Sequence, residues 1–167
     1  MLAAVQTEIK RVLAIAGIAH VVTDAGRAKQ QQVKPYAFVQ VVSEETKPDG
    51  SLVARTRSVD LKTATRVRRR YRRDVLFGVA IVGKDAAVCD EAADLLLATL
   101  RGCRDSHSRY IRLEGTKATW TDDESFLRDE TRQELVVLAR GGVYEEKTVG
   151  AISSADQVAA DATIEEA

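Results

Sequence analysis

Ten residues near the middle of the chain, Asp74 to Gly83 (DVLFGVAIVG), restrict the fold more than any other stretch. With a period of two, Val75, Phe77, Val79 and Ile81 share one face, and Leu76, Gly78, Ala80 and Val82 share the other. A strand apolar on both faces belongs in the interior of a sheet. Immediately before it the sequence is TRVRRRYRR, Thr65 to Arg73, with six arginines in eight residues. If extended, Arg66, Arg68, Arg70 and Arg72 point one way and Arg69, Tyr71 and Arg73 the other. Both faces are charged up to Asp74, so this portion is expected to lie outside the core.

The elements around this strand follow from spacing. Leu2, Val5, Ile9, Val12, Leu13 and Ala16 recur at helical intervals, and Gly17 is a stop. Ile18 to Val22 reads as a short strand, Asp24 to Arg27 as a turn, and Lys29 to Gln32 as loop. Tyr36 to Val42 (YAFVQVV) is apolar on both faces and reads as a strand covered on both sides. Pro48-Asp49-Gly50 is a turn signal, since proline presets φ and glycine accepts positive φ. A second strand from about Val53 to Lys62 would return as the polar, basic arm of a hairpin. Asp85 is placed to cap a helix with Val88, Ala92, Leu95, Leu96 and Leu100 as its buried stripe, and Gly102 at its C′ position. Arg109 to Gly115 alternates as a half-exposed strand, Thr119 to Ser125 reads as an acidic loop, and Arg132 to Gly142 as the last strong strand, ended by two glycines.

The order is helix, strands, helix, strands, tail, with no repeated βαβ alternation. This predicts an α+β fold: a mixed, mostly antiparallel sheet with two helices packed on one face and a projecting β-hairpin arm. Residues 1–147 form a single domain in this reading, 48–70 the projecting basic arm, and 148–167 an acidic C-terminal tail. The 167 residues suffice to bury a core without disulfides or metals.

Charge is balanced overall and uneven locally. Lys+Arg and Asp+Glu each number 25, yet Ser51 to Arg73 holds nine Lys/Arg against one Asp, and Thr148 to Ala167 holds four acids and no base. Such asymmetry points to a charged partner. Cys89 and Cys103 match no zinc or redox spacing and read as reduced thiols of a protein assembled in the cytoplasm. The N-terminus lacks the pattern of a signal peptide, and no apolar run approaches membrane-spanning length.

Little in the sequence points to catalysis or to a cofactor. His20 and His107 have no metal-ligand partner at helical or turn spacing, and there is no G-x-S-x-G frame or glycine-rich loop opening a helix. Pro48-Asp49 followed by Asp60-Leu61-Lys62 matches the loose PD…DxK pattern of metal-dependent nucleases, in which two carboxylates converge on Mg²⁺ and a lysine steadies the attacking water. If Asp49 sits at a hairpin tip, however, Asp60 lies well down the returning arm. Asp122, Asp123 and Glu124 read as a solvated loop, a cation site, or a dock for the arginines of a neighbouring subunit. The basic residues Arg55, Arg57, Lys62, Arg66, Arg68, Arg69, Arg70, Arg72 and Arg73 admit three readings: a seam pairing with carboxylates of another subunit, a grip on nucleic-acid phosphates, or a solvated surface. Only Tyr71 is interleaved, which gives a single-strand stacking platform little support. The zero net charge argues against a dedicated DNA binder.

The full order of parts resembles the tail terminator (tail completion, neck) proteins of tailed bacteriophages. The resemblance covers about residues 2–146. It runs from LAAVQTEIKRVLAIAG through KPYAFVQVVSEE and the polar excursion from Pro48 to Arg70. It continues in RYRRDVLFGVAIVGKDAAVCDEAADLLLATLRG and closes on RYIRLEGTKATWTDD and RQELVVLARGGVYEE. It implies a structural virion protein, not an enzyme, with no cofactor, metal or catalytic residues. Its subunits would form a six-membered homo-oligomeric ring, built in the host cytoplasm, that caps the tail tube, stops its polymerisation and joins the head-side connector or stopper. In contractile tails the ring also holds the last sheath ring. DNA passes through it without sequence specificity, and no membrane is involved. The basic residues above, with Asp122, Asp123 and Glu124, would then lie at subunit or tube contacts or face the channel.

Overall fold

The computed structural model describes residues 1–30, 33–60, 62–123 and 130–150, the side chains of 25, 29–30, 116–123 and 130 excepted. Helix α1 (Leu2–Ile15) is followed by β1 (His20–Val22), α2 (Ala25–Gln30), β2 (Tyr36–Pro48), β3 (Leu52–Arg57), β4 (Thr63–Gly83), α3 (Ala86–Thr99), β5 (Gly102–Arg104), β6 (Tyr110–Asp123) and β7 (Glu130–Gly150). The strands form one sheet in the order β1-β2-β4-β7-β6-β5, with β3 paired to β4. The β1–β2 pair is parallel; β3–β4, β5–β6 and β6–β7 are antiparallel. The fold is therefore α+β with a mixed, mostly antiparallel sheet. The chain divides into two compact units, one of Met1–Thr46 with Arg73–Gly141, the other of Lys47–Arg72 with Gly142–Ala167.

The first unit holds the core. In α1, Val5, Ile9, Val12 and Leu13 are fully buried, a stripe at the spacing an amphipathic helix requires. The helix ends in a Schellman arrangement: Gly17 adopts φ 83°, its amide donates to Ala14 O at 3.1 Å, and the Ile18 amide donates to Leu13 O at 2.9 Å. Ile18 is itself buried. The α3 N-terminus is capped as expected, with Asp85 Oδ1 accepting from the Ala87 amide at 2.9 Å. Every second residue of the strands joins both helices in one cluster: Ala37 and Val39, Val75 to Ile81, Ile111 and Leu113, and Leu135 to Ala139. Since these positions share a face of each strand, α1 and α3 lie on the same side of the sheet.

Several local expectations change. Asp24 to Arg27 is a helix start, because Asp24 Oδ1 accepts from the Arg27 amide at 2.9 Å and caps α2. Tyr36 to Val42 is not covered on both sides; Ala37 and Val39 are buried, whereas Val41 and Val42 are exposed. In α3 the buried residues are Cys89, Ala92, Ala93 and Leu96, and Val88 is exposed. Cysteine and alanine make poor signals of a buried face because they are small, but small side chains are what close helix packing accepts. Gly102 opens β5; the helix is ended by Leu100 in extended conformation. The last strand does not stop at Gly141-Gly142 but runs on to Gly150. A Cβ on Gly142 would come within 2.9 Å of Tyr71 O and 2.6 Å of Arg69 Cδ, so glycine here admits β4 rather than ending the strand.

The hairpin pairing also differs. Pro48-Asp49-Gly50 does not turn β3 back onto β2. The Asp49 amide donates to Arg70 O at 2.7 Å and the Arg69 amide to Ser51 O at 2.9 Å, so the chain passes this point still bonded to β4. The reversal comes later, where the Ser58 amide donates to Thr63 O at 2.9 Å and closes β3 onto β4. Asp49 folds the local kink by accepting from the Ser51 amide at 2.8 Å. Thr119 to Asp123, read as a loop, is strand, with Asp122 opposite Thr131 and Asp123 opposite Glu130; Glu124 lies outside the described residues.

Candidate functional site

The second unit assembles most of the basic residues singled out above. Strand β3 pairs with the first part of β4 in the register Leu52↔Arg68, Ala54↔Val67, Arg55↔Arg66, Thr56↔Thr65 and Arg57↔Ala64. Directly opposed residues share a face of an antiparallel pair. Arg55, Arg57, Arg66 and Arg68 therefore stand together. Arg66, Arg68 and Arg70 in turn line a cleft with Glu145, Lys147 and Val149 of β7. Among the described residues, one face thus gathers Arg55, Arg57, Arg66, Arg68, Arg70 and Lys147 around one carboxylate, Glu145. Ala64 is the only buried residue of this unit among the described ones, so the face rests on no apolar core of its own.

The arginine run is not uniformly unpaired, as its composition had implied. Arg69 Nε donates to Asp49 Oδ2 at 2.6 Å, and Arg70 pairs with Glu145 at 2.9 Å. In the first unit, Arg73 binds Glu44 through two bonds, of 2.6 and 2.8 Å. These partners stand far away in sequence and are delivered by strand pairing. The Ser51 hydroxyl and amide, and then the Arg69 guanidinium, lower the Asp49 pKa to about 2. Arg73 likewise holds Glu44 below the usual carboxylate range and is itself pushed up by Glu44. Arg72 is also engaged. Arg55, Arg57, Arg66 and Arg68 have no carboxylate partner among the described residues. Lys62 is exposed beside the β3–β4 reversal, with its amide donating to Asp60 Oδ1 at 3.1 Å.

Two features were beyond sequence reasoning. Glu145 and Lys147 belong to the basic face because β7 continues past its glycines, and a two-residue alternation extended through VYEEK is the signal that would have found them. The acids Asp49 and Glu44 emerge as arginine partners only from the register. Asp122 and Asp123 lie on β6, opposite Thr131 and Glu130 at the start of β7, and among the described residues β6 itself contributes none to the basic face.

The nuclease-like residues do not converge. Asp60 accepts from the Ser58 hydroxyl and the Lys62 amide, and Asp49 is held by Ser51 and Arg69. The six residues of β3 separate them, about 20 Å of extended chain. Among the described residues no group of three or more His, Cys, Asp or Glu could hold a metal ion.

No protein-family model matches the chain, and no curated protein matches it. Among solved structures, it is similar to a chain from the virion of a native gene transfer agent (GTA) particle, at 17% identity and a TM-score of 0.49. The similarity covers 84% of this chain and 93% of that one. At that identity and score, the likeness identifies neither fold nor function.

Proposed function

We propose that this protein is a virion structural subunit, a ring-forming tail terminator at the phage neck that caps the tail tube and joins it to the head-side connector. The observation that carries the reading is a patch of apolar side chains, rimmed by polar ones, on a sheet face of the first unit that neither α1 nor α3 covers. Helices α1 and α3 cover one side. On the other, Phe38, Val42, Gly78, Ala80 and Val136 line a cavity of about 240 Å³ together with the polar Gln40, Arg132 and Glu134, and Val42 is 58% exposed. An apolar patch rimmed by polar side chains is what a subunit interface covers. The second unit supports the same reading, because a sheet with a charged face and, among the described residues, one buried side chain is marginal on its own and gains from a neighbour. The order of elements resembles that of tail terminators, and a closed ring of heterologous contacts leaves no site for a further tube subunit.

Light scattering on the purified chain at micromolar concentration tests the assembly. The expected result is one species of about six times the 18.3 kDa chain. Electron microscopy of the protein mixed with tail tubes tests the assignment, with density expected at tube ends. A stable monomer that ignores tube ends would overturn it.

A further inference from the structure

We propose that the face formed by Arg55, Arg57, Arg66, Arg68, Arg70 and Lys147 binds the phosphate backbone of duplex nucleic acid, without reading its sequence. The inference does not depend on the ring. It begins with a repulsive contact: the register sets Arg55 directly opposite Arg66. Like charges so placed destabilise a strand pair, and no carboxylate among the described residues relieves this one. Among the described residues the fold gains nothing from the arrangement, which points to an occupant beyond them.

The nature of the occupant follows from charge density. Six cations and the one carboxylate Glu145 leave a net of five positive charges on this face. Arg66, Arg68 and Arg70 repeat at about 6.6 Å along β4. The longest unbroken acidic run anywhere in the sequence is three residues, Asp122 to Glu124. A second copy of this chain therefore offers no continuous acidic stretch matching the row, whereas duplex DNA carries one charge per ~1.7 Å of its axis. The face also selects between kinds of nucleic acid. Tyr71 and Tyr144 alternate onto the opposite side, leaving no aromatic among the described residues beside these arginines on which an unpaired base could stack. The uncharged side chains beside these cations, Leu52 and Val149, carry no hydrogen-bonding group, so among the described residues the face holds no Asn or Gln to pair with adenine, and its long cations stand in a row that matches the backbone charges. Contacts confined to phosphate position a duplex and carry no sequence information.

Fluorescence anisotropy of the full chain with labelled duplexes of two unrelated sequences, titrated against salt, tests this. Equal affinity for both is expected, with log K falling linearly in log salt at a slope of roughly −4 to −5. Arg66→Glu/Arg68→Glu is expected to weaken binding and flatten the slope by about 2 or more. Lys10→Glu/Lys84→Glu makes the same charge change at exposed sites elsewhere and is expected to leave the slope nearly unchanged. Circular dichroism establishes that both variants fold. Equal losses in the two double variants, or no salt-dependent binding by the full chain, would overturn the proposal. So would tighter binding to polyglutamate than to DNA, which would assign the face to an acidic protein segment. Binding that appears only after deletion of residues 151–167 would do the same, assigning the face to the chain's own acids. Subunit mass by light scattering is an independent readout, so this proposal and the ring can fail separately.

Discussion

The two parts of β4 share one backbone conformation and one side-chain alternation, yet they bury different things. From Arg73 onward, Val75, Phe77, Val79 and Ile81 are all fully or nearly fully buried in a core beneath two helices. Before Arg73, Ala64 alone is buried, and the positions that alternate with it are charged or half-exposed. Strand geometry is thus indifferent to what the strand does. Hydrogen bonding to neighbours forms the backbone in both parts, while burial decides which part stabilises the fold and which is free to carry surface chemistry.

The largest test of that contrast is Phe77→Ala. Phe77 is the largest fully buried side chain among the described residues, and truncating a phenylalanine in a core costs about 3–5 kcal/mol. Chemical denaturation is expected to show a loss of that size. A loss below about 1 kcal/mol would mean that the core is loosely packed and that the two parts of β4 differ less than their burial indicates. Arg55→Glu probes the other part with a smaller effect of opposite sign. It replaces the repulsion at Arg66 with a cross-strand ion pair, and is expected to leave stability unchanged or raise it by about 0.2–1 kcal/mol. If the same denaturation experiment shows a clear loss, Arg55 holds the sheet together and is not simply surface charge.

The contrast between the two parts of β4 was legible in the sequence; its consequences for pairing were not. A double apolar alternation that begins at Val75 and ends at Gly83 leaves few options for its place in a sheet. The helices were equally clear wherever large side chains mark the buried face, as in α1, and less so in α3, where Cys89 and Ala93 take the place of the expected Val88. What misled was punctuation. Pro48-Asp49-Gly50 and Gly141-Gly142 read as a reversal and a stop because those residues tolerate turns. In the structure, hydrogen bonds to β4 carry the chain through the first, and close approach of Arg69 and Tyr71 occupies the space a side chain would need at the second. Propensity describes what a residue permits, and tertiary pairing selects among the permitted conformations. The basic face inherited both errors. Its β7 members lie beyond the expected strand end, and its acid, Glu145, could not be matched to Arg70, 75 positions away; Asp49 and Glu44 are likewise distant in sequence from Arg69 and Arg73.

The finest distinction between the two parts is their response to acid. The buried stripe of β4 contains no titratable group, whereas the kink at Asp49 is bonded to β4 through a carboxylate whose pKa is lowered to about 2 by Ser51 and Arg69. An unfolded aspartate titrates near 3.9. Because the folded value is the lower one, the stabilising contribution of Asp49 is fully present above about pH 4 and is lost as pH falls through about 2. Both partners are solvent-accessible, so the effect is local. A carbon-detected NMR titration of the Asp49 carboxyl is expected to give a midpoint near 2, and Arg69→Gln to raise it. In the same window the Arg69 and Asp49 amides are expected to exchange faster while those of Phe77 and Val79 hold their protection. A midpoint near 4 would show that Asp49 is not engaged in solution and that its link to Arg69 does not help tie the kink to β4. Uniform loss of protection across β4 would show that the two parts unfold as one, and that the division between core and charged sheet is one of composition and not of stability.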